Sequence, residues 1–102
     1  MKTGLCGLYC FKNKNNEIIY LGKADDIHKR LKTHRHLPKE CYEEIEHIEY
    51  TVINNKADRD ILELLFITQY KPKYNTQLKY KESPTILTDQ QIMLFWNKEE
   101  NI

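Results

Sequence analysis

Hydrophobic and polar positions alternate along two short runs near the start of the chain. Residues 7–9 (Gly-Leu-Tyr) belong to the first run, residues 20–22 (Tyr-Leu-Gly) belong to the second, and the polar residues 13–16 join them. A period of two predicts strands, so we expect a hairpin over about residues 5–12 and 17–23. Pairing across a four-residue loop places Tyr9 opposite Tyr20, and Gly7 opposite Gly22.

The two faces of this hairpin differ, because neighbouring side chains of a strand point in opposite directions. Tyr9 and Tyr20 share one face, with glycine backbone beside them, and we expect their hydroxyls to be exposed. The other face carries apolar side chains that point towards a core, namely Leu8, Cys10, Ile19 and Leu21. Two phenols beside bare backbone indicate a site that a large ligand approaches closely.

A helix is predicted directly after the hairpin. Asp25 or Asp26 can accept hydrogen bonds from its first free amides, and the apolar spacing continues to about residue 36. At 100° per residue, Arg30 and His34 lie one turn apart along the edge of the buried stripe. A guanidinium and an imidazole are therefore expected to share a half-buried margin of this helix.

The middle of the chain predicts a third strand and a second long helix. Residues 47–53 alternate and are rich in β-branched side chains, whereas the apolar positions of residues 57–70 surround a helix almost completely. Glu63 lies among those apolar positions. A buried, unpaired charge costs several kcal/mol, so Glu63 needs a metal ion or an arginine as its partner. The structural alternative is a salt bridge to Arg59 or to a lysine.

The last part of the chain predicts one more helix. Thr88 and Gln91 have the spacing of a capping box, which predicts a helix over about residues 89–98 with Phe95 and Trp96 on its apolar side. The elements together predict an α+β fold, a small three-stranded antiparallel sheet flanked by helices, with the C-terminal helix added. We expect residues 1–77 to form the domain and residues 78–102 to pack on it or on a partner.

Composition limits the size of the domain and the strength of its electrostatic field. A chain of 102 residues fits one small domain, and a formal net charge of +1 makes the whole-molecule field weak. Binding of a nucleic acid would therefore depend on a local patch. Four basic residues on or near the first helix are candidates for contacts with phosphates: Lys23, Lys29, Lys32 and Arg35.

The sequence contains no apolar run of the roughly 20 residues that span a bilayer, and no long apolar stretch at its start. We therefore expect a cytoplasmic protein that does not contact membranes. Its three cysteines are an odd number for a disulfide framework and are expected to be reduced. His28, His36 and His47 are interpreted as surface or structural residues.

The two tripeptides of the hairpin resemble the signature of the GIY-YIG nuclease family, with leucine in place of isoleucine in both. The family places two tyrosines on a hairpin, an arginine and often a histidine on the next helix, a glutamate on a later helix and a closing asparagine. This chain has those residues in that order: Tyr9, Tyr20, Arg30, His34, Glu63 and Asn75. Residues 62–67 and 71–75 are especially similar to the nuclease domain of the bacterial nucleotide-excision-repair endonuclease.

The resemblance covers about residues 5–77 and implies a metal-dependent endonuclease of DNA repair or recombination. It implies that DNA is cut to 5′-phosphate and 3′-hydroxyl ends with one Mg2+ or Mn2+ ion bound by Glu63. Arg30 would hold the scissile phosphate, and Tyr9 would be the general base. Supporting roles fall to the other three positions, because Tyr20 and His34 would orient the phosphate or water and Asn75 would anchor the glutamate helix to the hairpin.

Two other interpretations remain open. The same fold could be a non-catalytic module that binds DNA or a protein, with its site vestigial. It could also be a catalytic subunit that joins a targeting protein, or a second copy of itself, through the C-terminal helix. The family's larger members carry additional recognition domains, so the sequence leaves open the target structure, the pathway and the choice between DNA and RNA.

Overall fold

The computed structural model describes residues 4–75 and 96–99. Its elements, in chain order, are the strands β1 (Gly7–Lys12) and β2 (Ile18–Ala24), the helices α1 (Ile27–Lys32) and α2 (Lys39–Glu44), strand β3 (His47–Val52), helix α3 (Lys56–Tyr70) and strand β4 (Asn97–Glu99). The strands form one antiparallel sheet in the order β2-β1-β3-β4. This α+β architecture confirms the predicted fold class, with β4 added to the three predicted strands.

The hairpin pairs two residues away from the predicted register. Tyr9 lies opposite Gly22, and Tyr20 lies opposite Phe11, so Tyr9 and Tyr20 are diagonal neighbours. The loop is longer than four residues because the side-chain oxygen of Asn13 accepts hydrogen bonds from the amides of Asn15 and Glu17, each at 3.0 Å. A shift of two residues preserves the alternation, so both tyrosines still share one face.

The glycine backbone on this face accommodates Tyr9 itself and leaves no open space for a ligand. A Cβ atom on Gly22 would lie 2.6 Å from the Tyr9 hydroxyl oxygen, well inside van der Waals contact. Gly7 lies opposite Ala24, contrary to the predicted pairing with Gly22. The prediction of bare backbone for an approaching ligand was therefore wrong, because the phenol ring of Tyr9 fills that space.

Helix α1 is shorter than predicted. The side chain of Asp26 caps its first turn by accepting a hydrogen bond from the Lys29 amide at 3.1 Å, and the C-cap at Thr33 ends it. His34 consequently lies beyond the helix. Helix α2 was missed because its six residues are too few to show a helical period, and only Cys41 among them is buried. The bounds of β3 and α3 agree with the predicted segments within one residue at each end.

Apolar side chains pack on both faces of the sheet. The tyrosine face contributes to a cluster under α1 and α2 that contains Tyr9, Phe11, Ile19, Tyr20, Ile27, Leu31 and Cys41. The opposite face contributes to a cluster under α3 that contains Leu8, Cys10, Leu21, Phe66 and Ile67. The predicted orientation of Leu8, Cys10 and Leu21 is confirmed, but Ile19 packs in the tyrosine cluster. The tyrosine hydroxyls were predicted to be exposed and are buried, because α1 and α2 cover them.

The end of the chain differs from the predicted helix where the structure describes it. Asn97 and Lys98 belong to β4 and pair with Tyr50 and Glu49 of β3. The Trp96 ring packs 5.6 Å from the Phe66 ring of α3, so the start of this segment is also held by the helix. The rest of the predicted helix lies outside the described residues, and the boundary at residue 77 stays a prediction.

The described residues contain no helix that is both long and apolar enough to cross a bilayer. Cys6, Cys10 and Cys41 form no disulfide bond.

Candidate active site

The hydroxyl of Tyr9 is the centre of a buried polar cluster. The Tyr9 side chain has no solvent-exposed surface, and its oxygen accepts a hydrogen bond from Nε of Arg30 at 3.4 Å. Nε2 of His34 lies 2.9 Å from the same oxygen. Strand β1 supplies the tyrosine, α1 supplies the arginine, and the turn after α1 supplies the histidine. Three of the predicted site residues therefore meet at one atom.

A second tyrosine that sequence reasoning missed holds the other side of His34. The Tyr42 hydroxyl lies 2.7 Å from Nδ1 of His34, and its oxygen accepts a hydrogen bond from the Leu37 amide at 3.1 Å. Tyr42 comes from α2, the helix that the sequence pattern did not predict. Burial, together with the positive charges of His36 and Arg30, lowers the pKa of His34 to about 4. His34 is therefore neutral at neutral pH.

Tyr20 lies beside this cluster and has a partner of its own. Its hydroxyl is 3.2 Å from Nε2 of His36, and the His34 and His36 rings are 4.5 Å apart. The interpretation of His36 as surface or structural overlooked this contact. The two histidines are separated by one residue at the end of the predicted helix, and that spacing on the site helix was the available signal.

The electrostatic environment opposes ionisation of both site tyrosines. Burial raises the pKa of Tyr9, and the hydrogen bond and positive charge of Arg30 oppose that shift without cancelling it. Burial also raises the pKa of Tyr20, and the carboxylate of Glu63 contributes to the same shift. Both phenols are thus protonated at neutral pH.

Glu63 is a buried carboxylate with a lysine as its partner. The residue is 6% exposed, and burial raises the pKa of its carboxyl group. Nζ of Lys23 lies 3.6 Å from a Glu63 oxygen and 2.7 Å from Asp60, one turn earlier on α3. Of the two partners in the structural alternative, Arg59 instead pairs with Asp25 at 3.1 Å, whereas the salt bridge to a lysine is present. The lysine ammonium group therefore stands where a cation can interact with Glu63.

Asn75 joins the segment after α3 to strand β2. Its side-chain oxygen accepts a hydrogen bond from the Leu21 amide at 2.8 Å, and its amide nitrogen donates to the Leu21 carbonyl at 2.9 Å. The Tyr74 amide adds a bond to the Ile19 carbonyl at 2.9 Å. Asn75 itself is buried, so the two bonds complete its hydrogen bonding away from water. The predicted role of Asn75, to anchor the glutamate helix to the hairpin, requires such a contact. The contact is at Leu21, next to Gly22, whose backbone lies against the Tyr9 ring.

The four predicted phosphate-binding residues have different environments. Lys23 is committed to Asp60 and Glu63, and Arg35 donates a hydrogen bond to the His34 carbonyl at 3.2 Å. Lys29 and Lys32 are exposed on α1, the helix that also carries Arg30. Contact of these residues with a nucleic acid stays a prediction.

Comparison with known proteins places this fold among GIY-YIG nuclease domains. Residues 5–76 match the sequence model of the UvrC-like GIY-YIG domain. The chain is 37% identical over 81 residues to UvrABC system protein C of Mycoplasma capricolum and 40% identical over 78 residues to that of Mycoplasmoides gallisepticum. These matches cover 74% and 72% of this chain but 14% and 13% of the relatives, so it spans about one-seventh of their length.

Solved structures give the same result. The chain resembles the N-terminal GIY-YIG endonuclease domain of UvrC from Thermotoga maritima bound to magnesium, with 34% identity and a TM-score of 0.65 over 74% of this chain and 89% of that one. A tyrosine-to-phenylalanine variant of the same domain, bound to its catalytic divalent cation, matches with a TM-score of 0.67, 34% identity and coverage of 76% and 89%. The chain belongs to the family of UvrC-like GIY-YIG domains, which confirms the resemblance inferred from its motifs.

Proposed function

We propose that this domain is a metal-dependent endonuclease that hydrolyses DNA phosphodiester bonds and leaves 5′-phosphate and 3′-hydroxyl ends. The observation that carries the proposal is the convergence of Arg30 and His34 on the buried Tyr9 hydroxyl. A buried polar cluster of this kind costs desolvation energy that an apolar cluster would not. Family membership supports the reaction class, since the similar Thermotoga domain is described as an endonuclease with a catalytic cation.

The residues present fit one divalent cation at Glu63. The described residues contain no group of three or more His, Cys, Asp and Glu side chains that could enclose a metal. Mg2+ does not require such a group, because it keeps several waters and binds through one or two carboxylates together with substrate phosphate. The ammonium of Lys23 near Glu63 shows that the carboxylate already attracts a cation. A bound Mg2+ or Mn2+ ion would supply Lewis-acid stabilisation of the phosphoryl charge.

Arg30 is suited to hold the scissile phosphate. Its Nε is occupied by Tyr9, and its terminal nitrogens have no hydrogen bond to any residue that the structure describes. The residue is exposed, so these nitrogens can form the paired hydrogen bonds that guanidinium groups make with phosphate. Arg30 thereby connects the substrate phosphate to the Tyr9 oxygen.

Tyr9 is the proposed general base. Burial opposes its ionisation, and the hydrogen bond from Arg30 favours it. A cation bound at Glu63 and at the substrate phosphate would add positive charge and oppose the rise that burial causes in the phenol pKa. Tyr9 would act as the base only after its own proton has left to solvent; the phenolate would then accept a proton from the attacking water, while Tyr20 and His36 hold a second hydroxyl beside it. Asn75 keeps strand β2 in place beneath the two phenols.

We further propose that the domain contacts its DNA with the help of another protein. The relatives are named as protein C of a UvrABC system, which supports a role in DNA repair with partner components. The weak net charge of +1 also favours help from a partner over tight binding by the isolated domain. The non-catalytic alternative would leave the Tyr9 cluster without a purpose that offsets its desolvation cost.

A cleavage assay tests the proposal. The purified chain would be incubated with plasmid, single-stranded, flap and branched DNA in Mg2+, in Mn2+ and with a chelator, and the ends of each product would be labelled enzymatically. We expect cleavage that requires the cation and gives 5′-phosphate ends. Binding without cleavage in either metal would instead support the non-catalytic module, and 3′-phosphate ends would contradict the proposed chemistry.

A further inference from the structure

Lys23 connects two carboxylates of helix α3 and has no role in the reaction described so far. Its Nζ lies 2.7 Å from Oδ1 of Asp60 and 3.6 Å from Oε1 of Glu63. Asp60 and Glu63 are three positions apart on α3, so both lie on the side of the helix that meets Lys23 of strand β2. One ammonium group therefore serves two carboxylates, and one of these is the proposed metal ligand.

The two contacts of the Lys23 ammonium group differ in strength. The contact with Asp60 at 2.7 Å is a charge-assisted hydrogen bond, whereas the 3.6 Å separation from Glu63 is beyond hydrogen-bond distance. The side chains of Lys23 and Asp60 are 43% and 42% exposed, and that of Glu63 is 8% exposed. The ammonium group thus stands where the buried carboxylate meets solvent, and Asp60 binds it more firmly than Glu63 does.

A divalent cation on Glu63 needs the space beside this ammonium group. Mg2+ lies about 2.0–2.1 Å from a carboxylate oxygen and keeps several waters around it. An ammonium group that stayed 3.6 Å from the same oxygen would be within about 6 Å of the ion, so the two positive charges would repel each other. Lys23 can withdraw from Glu63 and keep its hydrogen bond to Asp60, because the ammonium group is carried on a flexible four-carbon stem.

We propose that Lys23 and the divalent cation compete for Glu63, and that Asp60 holds the Lys23 ammonium group when the cation is bound. The inference deepens the proposed function and rests on its assignment of Glu63 as the metal ligand. Lys23 partners the buried carboxylate until an ion arrives, which avoids an unpaired buried charge and lowers the affinity for the ion. Asp60 is a positioning residue, because it acts on the metal site through Lys23.

Calorimetric titration with Mn2+ in the absence of DNA tests the competition directly. Lys23→Met retains an unbranched side chain without the charge. It should tighten Mn2+ binding by roughly tenfold, the size of the repulsion between a divalent ion and a single charge about 6 Å apart in water. Without added cation, the same variant should unfold at a lower urea concentration, since Glu63 loses its partner. Unchanged or weaker Mn2+ binding in Lys23→Met would overturn the proposal and reduce the contact to a structural ion pair.

Asp60→Asn is the second variant, and its predicted effect has the opposite sign. The amide holds the ammonium group less firmly, so Lys23 moves onto Glu63 and Mn2+ binding should weaken by roughly three- to tenfold. The loss should be smaller in a Lys23→Met background, because the ammonium group that Asp60 holds is then absent. An equal loss in both backgrounds would overturn the positioning role of Asp60. A defect in folding cannot produce two shifts of opposite sign.

Lys56→Met is the matched control for the loss of a positive charge. Lys56 also pairs with Asp60, at 3.0 Å from its other carboxylate oxygen, but within the described part of the chain it forms no ion pair with Glu63. The variant should change the Mn2+ affinity by less than about twofold, because its side chain is exposed and salt screens its charge. An effect as large as that of Lys23→Met would mean that net charge sets the affinity, and it would overturn the competition.

The Mn2+ titrations do not depend on nuclease activity. Tighter binding in Lys23→Met by a protein that cuts no DNA would contradict the proposed function and support the competition at Glu63. Unchanged binding in Lys23→Met by a protein that cuts DNA with Mn2+ would support the proposed function and overturn the competition. If the parent protein bound no Mn2+, the competition would be overturned together with the metal site.

Discussion

The two faces of strand β1 are equally buried and chemically different. Tyr9 and Leu8 are adjacent in the sequence, and neither has any exposed surface. Tyr9 points into a cluster with an arginine, a histidine and the aromatic rings of Phe11 and Tyr20, whereas Leu8 points into an apolar cluster that includes Phe66. Burial alone therefore does not distinguish a site from a core.

Hydrogen-bonding groups make the distinction. On the α3 face, burial removes apolar surface from water and stabilises the fold directly. On the tyrosine face, burial desolvates hydroxyl, imidazole and guanidinium groups, a cost that lowers the pKa of His34 and raises that of Tyr9. We infer that the first face maintains the fold and that the second face is maintained for chemistry. Substitutions on each face should separate activity from stability.

The largest expected effect is on activity alone. Glu63→Gln should reduce cation-dependent cleavage to the level of the uncatalysed control, because the amide retains the shape but loses the charge that attracts the cation. Its stability should be unchanged or higher, since burial already raises the pKa of the carboxyl group and the amide carries no charge to desolvate. Cleavage at the parental rate in saturating magnesium would exclude Glu63 as the metal ligand.

The next effect is on stability alone. Phe66→Ala should lower the free energy of unfolding by about 3–5 kcal/mol, as other large-to-small core substitutions do. Urea titration would measure the loss, and cleavage per folded molecule should stay near the parental value. Phe11→Ala is the counterpart on the other face, since Phe11 packs 5.7 Å from the Tyr9 ring and 5.2 Å from the His34 ring.

Phe11→Ala should lower both stability and the rate per folded molecule. If Phe66→Ala reduced that rate as strongly as Phe11→Ala, the two faces would not be functionally separate.

Arg30→Ala is expected to be the third in size. It should lower the cleavage rate by about 10² to 10³, comparable to the loss of one preorganised charge-stabilising group, and weaken DNA binding much less. Binding would be measured on uncleavable DNA at fixed salt concentration. Lys32→Ala removes an exposed cation of the same helix that is a candidate phosphate contact, so it is the comparison for a loss of anchoring alone. Equal losses in binding and in turnover for Arg30→Ala would reduce its role to anchoring the backbone.

The smallest effect separates the two site tyrosines. Tyr20→Phe removes one hydrogen bond, to His36, and should lower the rate by about tenfold. Tyr9→Phe should be worse, because it removes the proposed proton acceptor and the oxygen to which Arg30 donates. Kinetics in saturating magnesium over a broad pH range would measure both losses. If Tyr9→Phe retained the parental rate and pH profile, His34 or a metal-bound hydroxide would be the base.

The burial of these hydroxyls changes the expectation for stability. Two exposed hydroxyls could be removed without cost, but Tyr9→Phe leaves the buried His34 ring and Nε of Arg30 without their shared partner. The free energy of unfolding should therefore fall by about 1–3 kcal/mol.

Local pattern and the order of motifs were sufficient to predict most of the fold. The alternation of apolar and polar residues identified β1, β2 and β3. The apolar residues on most sides of α3 predicted that Glu63 is buried. The motif order identified Tyr9, Arg30 and His34, which do meet at one atom. Because side chains alternate between the two faces of a strand, the sequence was also sufficient to place both tyrosines on one face, even though the predicted hairpin register was wrong by two residues.

The remaining features depend on contacts between residues far apart in the chain. The side chain of Asn13 sets the loop and hence the hairpin register, which a simple count across the polar residues could not show. Tyr42 and His36 reach the site from short or irregular segments without a period. The pairing of Asn97 with Tyr50 is a tertiary contact that places Asn97 and Lys98, the end of the predicted helix, in a strand.

The measurement that tests the central claim most directly is the binding of Mn2+ to the protein without DNA, by calorimetry. The domain should bind one ion through Glu63 of α3, and Glu63→Gln should weaken that binding by at least about tenfold. Glu49→Gln is the matched control, because Glu49 is also a carboxylate with cationic partners, Lys12 at 3.1 Å and His47 at 2.9 Å. The account predicts that Glu49→Gln binds Mn2+ like the parent. Equal affinity in the parent and in Glu63→Gln would contradict the proposal that Glu63 supplies the metal site of this domain.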